Sequence, residues 1–308
     1  MASWGALSTE ASNPSSEGLD ELASEEVVSL LLEEDRRGLE AALRSKEHIA
    51  RAADWVAEVL DGGGEVLFAG AGTSGRLGIL EAAECPPTFG TDPEQIRAVI
   101  AGGPEAVFAA REGAEDVSSD GASAAKELGA GDLLIAVSAS AATPFVAGAL
   151  ASARSNGART ILVTCAPIEE ISAVADLVLA LDTGPEVLTG STRLKAGSAT
   201  KAVLNAITTA AMVRLGKVYG NLMVDLRPGS AKLRDRALRI IETAGEVTRG
   251  QAERLYGDAE GEVKTAIVMA RCELEAGDSR KRLRAAGGHV RKALADRSVA
   301  EVGSSTDI

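Results

Sequence analysis

Histidine is almost missing from this chain of 308 residues: His48 and His289 are the only two. Neither stands beside the glycine- and hydroxyl-rich loops described below, and a lone histidine in helical surroundings is more often structural than catalytic. A mechanism built on a central histidine is therefore disfavoured. Cysteine is scarce too. Cys85, Cys165 and Cys272 are odd in number and widely spaced, with no CxxC pair, so reduced thiols are expected rather than a disulfide framework or a zinc site. No apolar run approaches the roughly 20 residues that span a bilayer. The N-terminal stretch, with Glu10, Glu17, Asp20 and Glu21, has no basic segment leading into an apolar one. A soluble, cytoplasmic protein is expected. Positive charge is in deficit as well: 32 Lys and Arg against 45 Asp and Glu give a net charge of −13. That balance repels nucleic acid and anionic membrane surfaces, so any anion must bind in a local pocket.

Against these absences stand three loops of one design. Gly70-Ala71-Gly72-Thr73-Ser74-Gly75-Arg76 follows the apolar run Val66–Ala69, and Ser138-Ala139-Ser140-Ala141-Ala142-Thr143-Pro144 follows Leu133–Val137. Each sits where a buried strand turns into a helix. The third, Gly184 to Gly197, carries Thr189, Ser191, Thr192, Arg193 and Lys195 into a long helical pattern. Backbone N–H groups freed by glycine, clustered hydroxyls and the positive end of a helix together suit a phosphate or carboxylate. The candidate ligand-binding residues are Gly72, Thr73, Ser74, Ser138, Ser140, Thr143, Thr189, Ser191, Thr192, Arg193 and Lys195. For Arg193 and Lys195 the competing reading is a salt bridge to acidic neighbours.

The length accommodates one α/β domain of roughly 200 residues with helical additions. Residues 1–23, rich in Ser, Asn, Glu and Gly, read as an extended arm without a core face of its own. Ser24 is placed to cap a helical region reaching about Leu60, with an apolar stripe from Val27 to Ile49 broken near Gly38, as two successive helices would give. From Glu65 to Leu181 short apolar runs (Val66–Phe68, Ala98–Ile100, Leu133–Val137, Ile161–Val163, Leu177–Leu181) alternate with Ala-rich helical segments. This predicts a five-stranded, mainly parallel sheet between two helical layers, a three-layer αβα sandwich. A long helix is expected over about Lys195–Val218. Short amphipathic helices around Lys232–Thr243, Ala259–Ala270, Ser279–Ala286 and Val290–Ala295 predict a small C-terminal bundle. The expected divisions are 1–23, 24–60, 61–225 and 226–308.

Several long strings, in order, resemble the N-acetylmuramic acid 6-phosphate etherases: Phe68 to Gly78, Ala83-Glu84-Cys85-Pro86-Pro87-Thr88-Phe89-Gly90, Glu112-Gly113-Ala114-Glu115-Asp116, Thr189 to Gly197, and Gly216 to Asp225. The match runs from Thr9-Glu10 to Ala286-Gly287-Gly288. The resemblance implies a sugar isomerase-type fold, a homodimer with its active site near the subunit interface, and no metal or organic cofactor. It implies cleavage of the D-lactyl ether of N-acetylmuramic acid 6-phosphate to N-acetylglucosamine 6-phosphate and D-lactate. It also assigns Glu84 and Glu115 as the acid/base residues, a chemistry in which partial burial, by raising a carboxyl pKa, would help. Glu81 and Glu112 then read as solvated helix residues; Pro86-Pro87 read as a helix end, which either aims Glu84 into a cleft or is a plain helix stop.

Two departures stand out. Family members usually read Ser-Gly-Arg-Thr-Pro where this chain has Ser140-Ala141-Ala142-Thr143-Pro144, so a permissive glycine and a cation are both replaced. Ser230 stands where an Asn is common. Other classes stay open beside the etherase: a non-catalytic sugar-phosphate-binding regulator, since the glucokinase regulatory protein resembles this family, and an amino-sugar phosphate isomerase.

Overall fold

The computed structural model describes residues 5, 7–226 and 228–295; the outer ends of the expected arm and C-terminal subdomain lie outside them. The apolar runs form one sheet. Strands β1 (Val66–Gly70), β2 (Ile96–Ile100), β3 (Leu133–Val137), β4 (Arg159–Thr164) and β5 (Leu177–Ala180) are all parallel, in the order β2-β1-β3-β4-β5. In β1, β3 and β4 near-continuous Val, Ile, Leu, Phe and Ala suit strands covered on both faces, while the edge strands β2 and β5 are only partly buried. Leu67, Ala69, Leu134, Ala136 and Leu162 pack on Phe145, Val146, Ala149 and Leu150 of α5 (Pro144–Ser155). Phe68 is fully buried next to α3 (Gly72–Phe89), where a Cβ on Gly78 would lie 2.9 Å from the Phe68 Cβ. Each buried side chain of this size contributes about 1.5–3 kcal/mol.

Two helices precede the sheet, α1 (Ser24–Arg44) and α2 (Lys46–Asp61). Ser24 is the first helical residue rather than the cap; Ala23 holds the cap position, and its N–H donates to the Glu26 carboxylate at 2.9 Å. The arm has more structure than its composition suggests. Short 3-10 turns at Ser8–Glu10, Pro14–Ser16 and Leu19–Glu21 are tied down at two points. Ser8 donates from both N and Oγ to Glu170 Oε2, each at 3.1 Å. Asn13 Nδ2 donates to Glu34 Oε2 at 2.9 Å and to the Pro185 carbonyl at 3.1 Å. The arm is a strap fixed to the sheet unit. Helix α4 (Ser118–Ala124) and the long α6 (Lys195–Arg214) complete the helices around the sheet.

The chain up to Glu84, with Asp92–Ala211, makes the sheet unit; residues 85–91 and those from Met212 onward make a second. The second unit contains a hairpin, β6 (Val218–Tyr219) and β7 (Leu222–Met223), then helices α7 (Ala231–Gly245), α8 (Arg249–Asp258), α9 (Val263–Cys272), α10 (Ala276–Ala285) and α11 (Val290–Ala295). Ile241, Tyr256, Ile267 and Val268 lie in its core. Helix α6 stops short of the expected Val218 because Gly216 turns left-handed (φ +70°) and the Lys217 N–H closes on the Met212 carbonyl at 2.9 Å. Periodicity misses α8. It buries only Ala252 and Tyr256, so its apolar period is weak, and it is set by a capping box in which Thr248 N donates to Gln251 Oε1 at 2.8 Å. Pro86 and Pro87 do not end α3, which continues to Phe89.

Candidate active site

In a parallel sheet ordered 2-1-3-4-5 the winding reverses between β1 and β3, which opens a crevice at the carboxyl ends of those strands. The first two loops lie there. Beyond β1 the chain turns through Gly72, at φ +52°, directly into α3. Close packing holds this turn: a Cβ on Gly75 would lie 2.6 Å from Ile100 Cγ1 and 2.7 Å from the Gly70 carbonyl oxygen. The amides of Thr73 and Ser74 precede the first helical bond, Gly75 N to Ala71 O at 3.2 Å, so they face outward as donors at a positive helix end. Beyond β3, Ser138 Oγ lies 2.8 Å from Thr143 Oγ1, and Thr143 and Pro144 occupy the N-cap and N1 positions of α5.

A cavity of about 330 Å³ joins these loops, within the range of small-molecule sites. Gly72, Thr73, Ser74, Ser140, Thr143, Thr192 and Glu115 of the expected residues line it. Asp116 and Gly190 join them, as do Leu7, Thr9 and Glu10 from the strap, which sequence reasoning did not assign. Among its lining residues are three carboxylates, Glu10, Glu115 and Asp116, and no basic side chain. Anion binding here falls to hydroxyls and backbone N–H groups.

The remaining expected residues lie elsewhere. Ser138 is buried and positions Thr143 instead of lining the cavity. Thr189 and Arg193 are exposed and Ser191 is half-buried, all three off the cavity wall. Lys195 is not a ligand-facing cation: its Nζ meets Glu34 Oε2 at 2.5 Å, with side-chain exposures of 4% and 2%. This pair, together with Asn13, holds the Glu34 carboxyl below the usual range against the cost of its burial. The start of α6 also departs from expectation. Glu186, buried, accepts the N–H groups of Lys195 at 3.2 Å and Ala196 at 2.9 Å, so the positive end of this helix already holds the protein's own carboxyl. Burial nonetheless raises the Glu186 pKa above the ordinary carboxylate value.

Glu84 and Glu115 are both exposed, not partly buried, and Glu84 is not on the wall of the cavity that holds Glu115. The buried carboxyl of this region is Glu81, read from sequence as solvated. It sits one turn before Glu84 and accepts bonds from Asn205 Nδ2, at 2.6 Å, and from the Thr208 hydroxyl. Burial drives its pKa up despite those donors. Neither histidine lines the cavity, and burial pushes the Cys165 thiol, under the start of α6, up to about 11. Among the described residues no group of three or more His, Cys, Asp or Glu is arranged to hold a metal ion, and no helix is long and apolar enough to cross a membrane.

The family described as glucokinase regulatory protein N-terminal SIS domain matches residues 48–154, and the SIS domain family matches residues 113–210. Full-length relatives are much closer. An N-acetylmuramic acid 6-phosphate etherase from Parasynechococcus marenigrum is 46% identical over 300 residues, covering 97% of this chain and 95% of the relative. One of the same name from Gloeobacter violaceus is 49% identical over 290 residues, covering 94% and 95%. Among solved structures, the sugar isomerase domain of an RpiR transcription factor from Sphaerobacter thermophilus aligns with 61% of this chain and 90% of its own length, at 20% identity and a TM-score of 0.44.

Proposed function

Because this chain belongs to the N-acetylmuramic acid 6-phosphate etherase family, we propose that its β1–β3 cavity binds that sugar phosphate and releases D-lactate from it. Members of the family are carbon–oxygen lyases, and the chain is an enzyme of that class. The observation that carries the reading is the cavity: hydroxyls of Thr73, Ser74, Ser140, Thr143 and Thr192 and the first-turn amides of α3 share one wall system with Glu115. Neutral donors at a helix end suit the phosphate, and a carboxylate within the same space suits proton transfer.

The chemistry follows from the bond to be broken. An ether at C3 resists hydrolysis while the ring is closed. Ring opening gives a C1 aldehyde, which acidifies the C2 proton; a carboxylate removes that proton, the C3–O bond breaks, and the departing lactate oxygen takes a proton from a carboxylic acid. Water then returns a hydroxyl to C3 and a proton to C2. Glu84 takes the principal acid/base role at C2–C3 in this proposal, and Glu115 acts in ring opening or water activation. Glu84 stands outside the cavity of its own chain, so the proposal includes a homodimer in which one copy brings Glu84 to the cavity of the other.

The test is lactate release by the purified chain in water enriched in heavy oxygen. Lactate together with heavy oxygen at sugar C3 is the expected result. A folded protein that binds the sugar phosphate and releases no lactate would favour the regulator or the isomerase.

A further inference from the structure

Of the three strap residues on the cavity wall that no motif reading assigned, two are polar, Thr9 and Glu10. Thr9 is 3% exposed and lines the cavity, yet its Oγ1 has no hydrogen-bond partner among the described residues. A buried hydroxyl left unpaired costs on the order of 1–3 kcal/mol, so such a group within a binding wall points to a bond completed by ligand. Glu10, its neighbour, lies against the third loop: a Cβ on Gly190 would come 3.0 Å from Glu10 Oε2. At that loop the start of α6 is already occupied by Glu186. Two carboxylates thus stand where the sequence pattern places an anion, and a phosphate there would meet like charge. The α3 and α5 loops contain no acid of their own, and Glu115 and Asp116 are the acids that share their cavity.

We propose that the strap is the sugar-recognising wall of this cavity: Thr9 Oγ1 bonds to the ligand, Glu10 accepts a hydrogen bond from a hydroxyl or N–H of the sugar, and the phosphate is directed to the α3 and α5 loops. This rests on the reading of the cavity as a sugar-phosphate site and adds the direction in which the ligand lies. The strap's anchors fit the role. Asn13, the residue that fastens it to Glu34, thereby ties the Thr9–Glu10 segment to the same buried carboxyl that holds Lys195 at the third loop.

Two ligands separate this proposal from a purely structural strap, namely N-acetylglucosamine 6-phosphate and inorganic phosphate, titrated calorimetrically into the full chain. Thr9→Val is expected to weaken the sugar phosphate about fivefold and Glu10→Ala about tenfold or more, with inorganic phosphate bound no more weakly than by wild type. Ser74→Ala is expected to weaken both. If both strap variants bind the sugar phosphate within twofold of wild type, or lose the two ligands in parallel, the proposal is wrong. Thr9→Val keeps the side-chain shape, so a folding defect in Glu10→Ala alone does not obscure the outcome. Wild-type protein that binds the sugar phosphate without releasing lactate would sink the etherase reading and leave the strap proposal standing.

Discussion

Ala141 is the residue whose departure from the family pattern has a visible backbone consequence. It holds a left-handed conformation, φ +58°, in the loop after β3, and is buried to 7% exposure. An L-residue with a Cβ pays about 1 kcal/mol for that conformation where glycine pays none. Ala141→Gly is therefore expected to stabilise the chain by less than about 1 kcal/mol, since the lost methyl contact and the added chain entropy offset part of the relieved strain. Urea denaturation measures it, and an unchanged or lower midpoint would mean that the buried methyl outweighs the strain. Lys195 teaches a different lesson at the same scale. Its neighbours Thr192, Arg193 and Gly197 make it look like a ligand cation, and nothing local says otherwise. What settles its role is Glu34, 161 positions earlier in α1. Gly38, one turn further along α1, leaves room for it, since a Cβ there would lie 3.0 Å from Lys195 Cγ. A partner at that separation leaves no mark in a motif, which is why the salt-bridge alternative was not separable from the ligand-facing one by sequence.

At the scale of elements, the strands were legible because each is a short apolar run, buried throughout in β1 and β3 and in part at the sheet edges β2 and β5. Helix ends were less so. The polarity of a helix terminus is readable, but whether a ligand or a protein side chain fills it depends on residues such as Glu186, which from sequence is one acid among many. Glu81 joins two elements in a way that makes a pH prediction. It carries a raised pKa at the packing of α3 on α6, through Asn205 and Thr208. The folded state then keeps a proton that the unfolded chain releases. The contribution is complete below the ordinary value near 4.5 and is lost as pH rises through the raised folded value. Glu81→Gln cannot ionise and escapes that loss, so its stability relative to wild type is expected to improve as pH rises above the ordinary value near 4.5 and to level off above the raised folded value. Chemical denaturation of both proteins across this interval measures the difference. A difference that stays flat would show that burial of the carboxylate is not the controlling cost.

For the whole molecule, the separation of Glu84 from the cavity holding Glu115 makes a prediction about assembly. Mixing Glu84→Gln and Glu115→Gln proteins under conditions that exchange subunits is expected to restore about a quarter of wild-type activity. Half the dimers are then mixed and each mixed dimer carries one complete site of two. No restored activity, with exchange demonstrated, would place both carboxylates on one chain's site. Charge acts at this scale too: in a chain at −13 the cavity has no basic side chain, so an anion entering it would meet only hydroxyls and helix-end amides beside Glu10, Glu115 and Asp116. The strap has a last consequence, a practical one. Since Leu7 itself lines the cavity, any sequence fused ahead of the strap is joined within a few residues of the cavity wall. Purification tags, fluorophores and surface tethers attached there are expected to compete for space with the sugar phosphate, so that protein tagged at this end would bind it more weakly than protein tagged at the other.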